Sequence, residues 1–253
     1  MKMYRLAILF LSFCCLPFTV QAQQKDSLQN LVNRRQYAEA IVWADSLTAL
    51  DSTDYVTMYT AGQAYDGLLR YRVAYDYYYH CYLMDTTNVD ILNTLARTAI
   101  NLGKAADAEY FFQKVLASDS LNFYTNYQLA RLYYQLGDYE KAISIYQRLI
   151  EVNEQNPALL TALGDCYTKL GVTSNAFFSY FFAYNYNREN AGLASALINT
   201  MLRLGGNYIA DALAICDTAL YYNPGNRQLL RDKGQYHISP THLQYNCRCV
   251  GDM

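Results

Sequence analysis

The stretch Tyr127-Gln128-Leu129-Ala130-Arg131-Leu132-Tyr133-Tyr134-Gln135-Leu136-Gly137-Asp138-Tyr139-Glu140-Lys141-Ala142-Ile143-Ser144-Ile145-Tyr146 decides the fold. Tyr127, Ala130 and Tyr134 recur at helical spacing, and so do Leu129, Leu132, Tyr133 and Leu136. Gly137-Asp138 then offers a stop, because glycine accepts the left-handed backbone that ends a helix. A second helix is expected over roughly Tyr139 to Val152, with Ala142, Ile145, Tyr146 and Leu149 on one stripe. Small Ala130 and Ala142 let two helix backbones approach, and the Tyr146 ring fills the space beside them. Neither helix buries its apolar face alone, so such a pair must stack on others like it.

The rest of the chain supplies those others. Gly62, Ala96, Ala130 and Gly164 stand thirty-four residues apart. So do Ala74, Ala108, Ala142 and Ala176, with Ala40 one step earlier. The large partners Tyr78, Phe112, Tyr146 and Tyr180 keep the same period, as do Leu95, Leu129 and Leu163, with Ala61 in register. Gly103, Gly137 and Gly171 mark the turn, and Leu69 occupies that place one unit earlier. With only 4 Pro and 12 Gly in 253 residues, long helices are easier to build than a turn-rich β fold.

This pattern resembles the tetratricopeptide-repeat family. Leu129 to Tyr133 and Gly137 to Ala142 follow the family's motif nearly throughout, and Leu163-Gly164-Asp165-Cys166-Tyr167 with Gly171 and Ala176 is a second match. The family's frequent first-helix Trp is absent; Met58, Leu92, Asn126 and Leu160 stand there. The resemblance implies an all-α, right-handed superhelical solenoid of stacked antiparallel helix pairs. Six units are expected over 23–226, at about 23–54, 55–88, 89–122, 123–156, 157–190 and 191–226, the last with two extra residues near Gly205-Gly206-Asn207. Pentatricopeptide repeats are of similar length and read RNA, but an exported acidic chain counts against them.

Both ends depart from the repeat. Lys2 and Arg5, the apolar run Leu6 to Phe18, and the small-residue pattern Val20-Gln21-Ala22 have the layout of a signal peptide over residues 1–22. The run is shorter than the ~20 residues of a membrane span. Bulky Phe13 before Cys14, and the apolar sequence after Cys15, count against a lipid anchor there. Cleavage after Ala22 predicts a soluble chain outside the cytoplasm, in the periplasm or otherwise exported, more acidic than the −2 of the whole sequence. At the other end, Arg227 to Tyr236 begins another first helix. The remaining tail, through Pro240 and Cys247-Arg248-Cys249 to Met253, has no repeat character and reads as truncated or frameshifted.

In the resembling family the first helices line a concave groove that holds partner segments. Carried onto this sequence, the outward positions give Tyr59, Gln63, Asn93, Arg97, Tyr127, Arg131 and Tyr134 as candidate partner-binding residues. Tyr and Arg often carry binding energy at interfaces. An Arg beside aromatic rings suits an acidic or C-terminal group of an extended peptide. The Lys and Asn of the family's carboxylate clamp are not reproduced, so chaperone-tail recognition is not implied. On the opposite face, Phe178 and Phe182 lie one turn apart where the preceding unit has Ser144 and Arg148, which suggests an interface such as a homodimer.

These features point to a non-catalytic scaffold that binds a protein or peptide in the bacterial cell envelope. The alternative is a glycan-binding accessory, since 27 Tyr against 1 Trp offers many rings to stack on sugars. No phosphate loop, nucleophile elbow or His-Glu-x-x-His motif is present, so no enzyme and no cofactor are expected. A formal charge of −2 lacks the basic excess that nucleic acid requires. His237, His242, Cys247 and Cys249 are metal-ligating types without the spacing of a known site, so no metal is expected. Cys81, Cys166 and Cys216 fall on core-facing positions and read as small buried hydrophobes.

Overall fold

The computed structural model describes residues 26–205 and 208–237. The expected leader (1–22) and most of the atypical tail lie outside these residues, as do Gly206 and Asn207. Helical residues 26–33 form α1. Then follow α2 (Tyr37–Leu50), α3 (Tyr55–Gly67), α4 (Tyr71–Met84), α5 (Val89–Asn101), α6 (Ala105–Ser118) and α7 (Phe123–Leu136). The series continues with α8 (Tyr139–Val152), α9 (Pro157–Leu170), α10 (Thr173–Tyr186), α11 (Ala191–Leu204), α12 (Ile209–Tyr222) and α13 (Arg227–His237). No strand occurs among the described residues. The fold class is all-α, with helix pairs packed in chain order.

The chain divides into two compact units, Met1–Thr125 and Asn126–Met253. In the first, α2 packs on α3, α3 on α4, α4 on α5 and α5 on α6. In the second, the same serial packing runs from α8 to α13.

The repeat begins the first helices from α3 onward with a side-chain cap. Asp54 accepts from the Thr57 N–H at 2.9 Å and Asn88 from the Asp90 and Ile91 N–H groups at 3.0 and 3.2 Å. Asn122, Asn156 and Asn190 do the same for Thr125, for Ala158 and Leu159, and for Leu193. Each cap satisfies N–H groups that the helix cannot, a contribution of about 1 kcal/mol. Asn226 caps α13 through Gln228 and Leu229, two residues later than the strict period, so the insertion before α12 is absorbed within its own pair.

The turn inside each of the first five pairs is equally regular. Gly103, Gly137 and Gly171 have φ of 72°, 86° and 75°, and Gly205 has 69°. The next N–H returns to the carbonyl five residues back, as in Asp138 to Tyr133 and Val172 to Tyr167, both at 2.9 Å. Where the column carries Arg35 and Leu69, the backbone still adopts φ of 61° and 60°. The tertiary packing imposes the left-handed turn on side chains that disfavour it by roughly 1–2 kcal/mol.

Between the paired helices lies the core. Ala40, Ala74, Ala108 and Ala142 are fully buried, and Tyr78, Phe112, Tyr146 and Tyr180 are at most 3% exposed. A Cβ added at Gly62 would lie 2.5 Å from the Tyr78 ring, and one at Gly164 would lie 2.7 Å from the Tyr180 ring. Cys81, Cys166 and Cys216 are buried free thiols, as expected. Burial pushes Cys81 and Cys166 up to about 12, with nearby Asp165 adding to the rise at Cys166, so both stay protonated and unreactive at neutral pH.

The ring contact predicts a direction for one substitution. Gly164→Ala should force the buried Tyr180 ring outward and lower unfolding free energy by about 1–3 kcal/mol, measured by urea denaturation. A variant as stable as the parent would mean that the ring has room to retreat.

Candidate binding surface on the first helices

In the first unit, α3 and α5 present two shallow recesses that share Tyr59 and Arg97. One, of about 410 Å³, lies among α1 to α5 and is lined by Tyr59, Gln63, Asp66, Tyr78, Arg97 and Asn101, with others. The second, of about 370 Å³, adds Val89, Asp90, Asn93, Thr94, Asn122 and Tyr124. The structure therefore brings together the four candidates of this unit: Tyr59, Gln63, Asn93 and Arg97.

Their environments differ. Arg97 is exposed, and its Nη2 donates to Asp66 Oδ2 at 2.9 Å. Asn93 was expected to face outward but is only 9% exposed, and its Oδ1 accepts from the Thr125 hydroxyl at 2.9 Å. The Asn93 side chain thus ties α5 to the start of α7 and offers the surface only what that bond leaves. Tyr59 is half-buried, stacks on Tyr55 with ring centres 6.1 Å apart and leans on Tyr78 at 5.6 Å. Burial pushes the Tyr55 hydroxyl up to about 12, and lifts Tyr78 further, with Asp66 adding to the rise. These phenols remain neutral donors at physiological pH.

Sequence reasoning did not anticipate Asp66 or the Tyr78 hydroxyl as parts of this surface. The signal was present in the repeat itself. Tyr78 and Tyr180 hold the same repeat position, as do Gln63 and Asp165, and Asp66 and Thr168. In the later pair the Tyr180 hydroxyl donates to Asp165 Oδ1 at 2.7 Å and lies 3.2 Å from the Thr168 hydroxyl. In the earlier pair Asp66 is engaged by Arg97, and among the described residues neither the buried Tyr78 hydroxyl nor Gln63 Oε1 has a hydrogen-bond partner. A buried polar group left this way costs about 1–3 kcal/mol.

In the second unit, α7 carries the remaining candidates. The Arg131 guanidinium sits 6.0 Å from the Tyr127 ring centre, and Arg131 also reaches Gln128 at 3.4 Å. Tyr127 meets the buried Tyr146 edge-on at 6.1 Å, and Tyr134 meets Tyr139 at 5.6 Å. Arg131 is exposed, whereas Tyr127 and Tyr134 are half-buried. On α10, Phe178 and Phe182 are 57% and 50% exposed. They belong to a larger aromatic group, since Phe177 stacks on Phe181 at 5.9 Å and touches Phe178 at 5.3 Å.

Among the described residues, no group of His, Cys, Asp and Glu is arranged to hold a metal. Of the four tail residues considered for one, His237 ends α13 and the other three lie outside the described residues. No described helix is long and apolar enough to cross a membrane.

With this geometry in view, comparison with known proteins is direct. Residues 102–166 match the tetratricopeptide repeat family model. No curated protein matches the chain in sequence. Among solved structures, PilW, a widely conserved type IV pilus biogenesis factor, superposes with a TM-score of 0.65 at 14% identity, covering 84% of this chain and 97% of its own. PilF of Pseudomonas aeruginosa gives a TM-score of 0.62 at 14% identity over 85% and 99% of the two chains. A tetratricopeptide repeat protein from Parabacteroides merdae gives 0.58 at 18% identity over 84% of each. Residues 102–166 thus carry tetratricopeptide-repeat sequence, and the same helix pair recurs on either side of them.

The contrast between the two tyrosines makes a paired prediction. Tyr180→Phe removes a hydrogen bond to a carboxylate and should cost about 1.5–3 kcal/mol of stability. Tyr78→Phe removes an unpartnered hydroxyl and should leave stability unchanged or raise it by about 1 kcal/mol. Chemical denaturation of the two variants side by side checks the difference, and equal losses would contradict it.

Proposed function

We propose that the protein is a non-catalytic scaffold of the bacterial cell envelope that binds a protein or peptide partner on its first-helix face. The observation that carries this reading is the cluster of Tyr59, Gln63, Asn93 and Arg97 around two adjoining recesses, at the positions the repeat family uses for partners. The recesses combine aromatic walls with amide and hydroxyl groups, the composition of an interface rather than of a catalytic centre. Tyr127, Arg131 and Tyr134 would extend the same use of the first helices into the second unit. An N-terminal sequence with the layout of a signal peptide supports export. PilW's part in type IV pilus biogenesis offers a precedent for this repeat fold in bacterial surface assembly.

The aromatic group on α10 supports a second contact. Phe178 and Phe182 would cover each other across a homodimer, hiding rings that are now half in water. A glycan ligand is the competing reading of the first-helix face, favoured by tyrosine walls and the ion-paired state of Arg97.

Crosslinking in intact cells tests the main reading. A photoreactive residue in place of Tyr127 should give a discrete protein adduct, and one replacing the exposed Ser144 on α8 should not. Equal adducts, or none from Tyr127, would remove support for the first-helix face. For the second contact, sedimentation at high concentration should show a dimer that Phe178→Ser with Phe182→Ser converts to monomer, and a parent that is monomeric throughout would reject it.

A further inference from the structure

We propose that the larger recess on the first unit is a subsite for a neutral carboxamide, an Asn or Gln side chain of the bound partner segment, read by the Gln63 amide and the Tyr78 hydroxyl. The inference rests on the reading that the first-helix face binds a protein, and adds what kind of residue enters.

The starting point is the unpartnered pair. Tyr78 is 0% exposed and lines the recess, and among the described residues neither its hydroxyl nor Gln63 Oε1 has a hydrogen-bond partner. Native proteins seldom leave buried polar atoms so, and each one asks for an explanation. The chain contains its own control. At the same repeat position Tyr180 is closed off by Asp165 and Thr168, with the hydroxyl 2.7 and 3.2 Å from their oxygens. At those places the earlier pair has Gln63 and Asp66, the latter accepting from Arg97 at 2.9 Å, and the Tyr78 hydroxyl bonds to neither. The recess of about 410 Å³ lies against these freed groups.

Charge then selects the ligand. Arg97 and Asp66 neutralise each other, so the recess offers no net charge to an ion. A carboxylate would find the Tyr78 donor but would face the Gln63 Oε1 acceptor, and the Arg97 charge that could hold it is already paired with Asp66. An ammonium group would find Asp66 already paired with Arg97. A carboxamide presents both halves of the complement: its carbonyl accepts from Tyr78, and its N–H donates to Gln63 Oε1. Amide pairing is also self-complementary, so it survives either orientation of the Gln63 side chain. The half-buried Tyr59 ring, 5.6 Å from Tyr78, gives the ligand's methylene groups an apolar wall.

The test is selection of peptides from a random linear library displayed on phage, using the full chain, Gln63→Leu and Tyr78→Phe. The parent should select peptides that share Asn or Gln at one fixed position, and replacing that residue by Asp or Glu should weaken binding at least about tenfold. Both variants should lose the preference, Tyr78→Phe without any fall in melting temperature, which separates loss of recognition from loss of fold. Peptides selected without an amide preference, or with one that both variants retain, overturn the subsite and leave the first-helix reading standing. Failure to select any peptide overturns both, and oligosaccharide binding that Tyr78→Phe abolishes would then assign the recess to a glycan.

Discussion

Four consecutive helix pairs, from α3–α4 to α9–α10, share one contact, the seating of an aromatic ring from the second helix against a residue of the first that has almost no side chain. Tyr78 against Gly62 and Tyr180 against Gly164 show it at its tightest, with no room for a Cβ between ring and backbone. Phe112 and Tyr146 take the same place over Ala96 and Ala130, and all four rings are nearly excluded from water. Burying a ring of this size contributes about 1.5–3 kcal/mol, so the repetition supplies much of what the folded chain gains. The closeness of approach also fixes how the two helices cross, and through that where the outer side of the first helix lies.

The same contact brings a polar atom into the pair. A tyrosine used as the filling ring carries its hydroxyl among side chains of the first helix, as Tyr180 does at Asp165 and Thr168. The protein meets this in two ways. At Tyr180 the hydroxyl is bonded within the pair, and the position is purely structural. At Tyr78 the neighbouring positions hold Gln63 and an ion-paired Asp66, and the hydroxyl is left unmatched. A small loss of stability there is the expected consequence.

The turns show how far packing overrides local preference. Glycine at Gly103, Gly137 and Gly171 accepts the left-handed conformation without strain, yet Arg35 and Leu69 adopt it as well. The bond that returns the Arg70 N–H to the Tyr65 carbonyl at 2.9 Å holds the turn in the first unit as in the others. The starts of the first helices are more uniform, since Asp or Asn occupies each of their caps from Asp54 to Asn226.

The sequence by itself determined the repeat, the helix pairs, the buried columns and the turn. All four follow from the 3.6-residue period of a helix and from the recurrence of small and large residues thirty-four positions apart. It also placed Tyr59, Gln63 and Arg97 on the first helices, because outward positions follow from the same period. What only the tertiary structure decided is which polar atoms are satisfied. Asn93 is nearly covered because Thr125, on a different helix, reaches its oxygen. Asp66 is tied to Arg97 of another helix at 2.9 Å, and among the described residues no group meets the Tyr78 hydroxyl. Each outcome turns on where side chains of different helices meet, and periodicity within a single helix does not carry that.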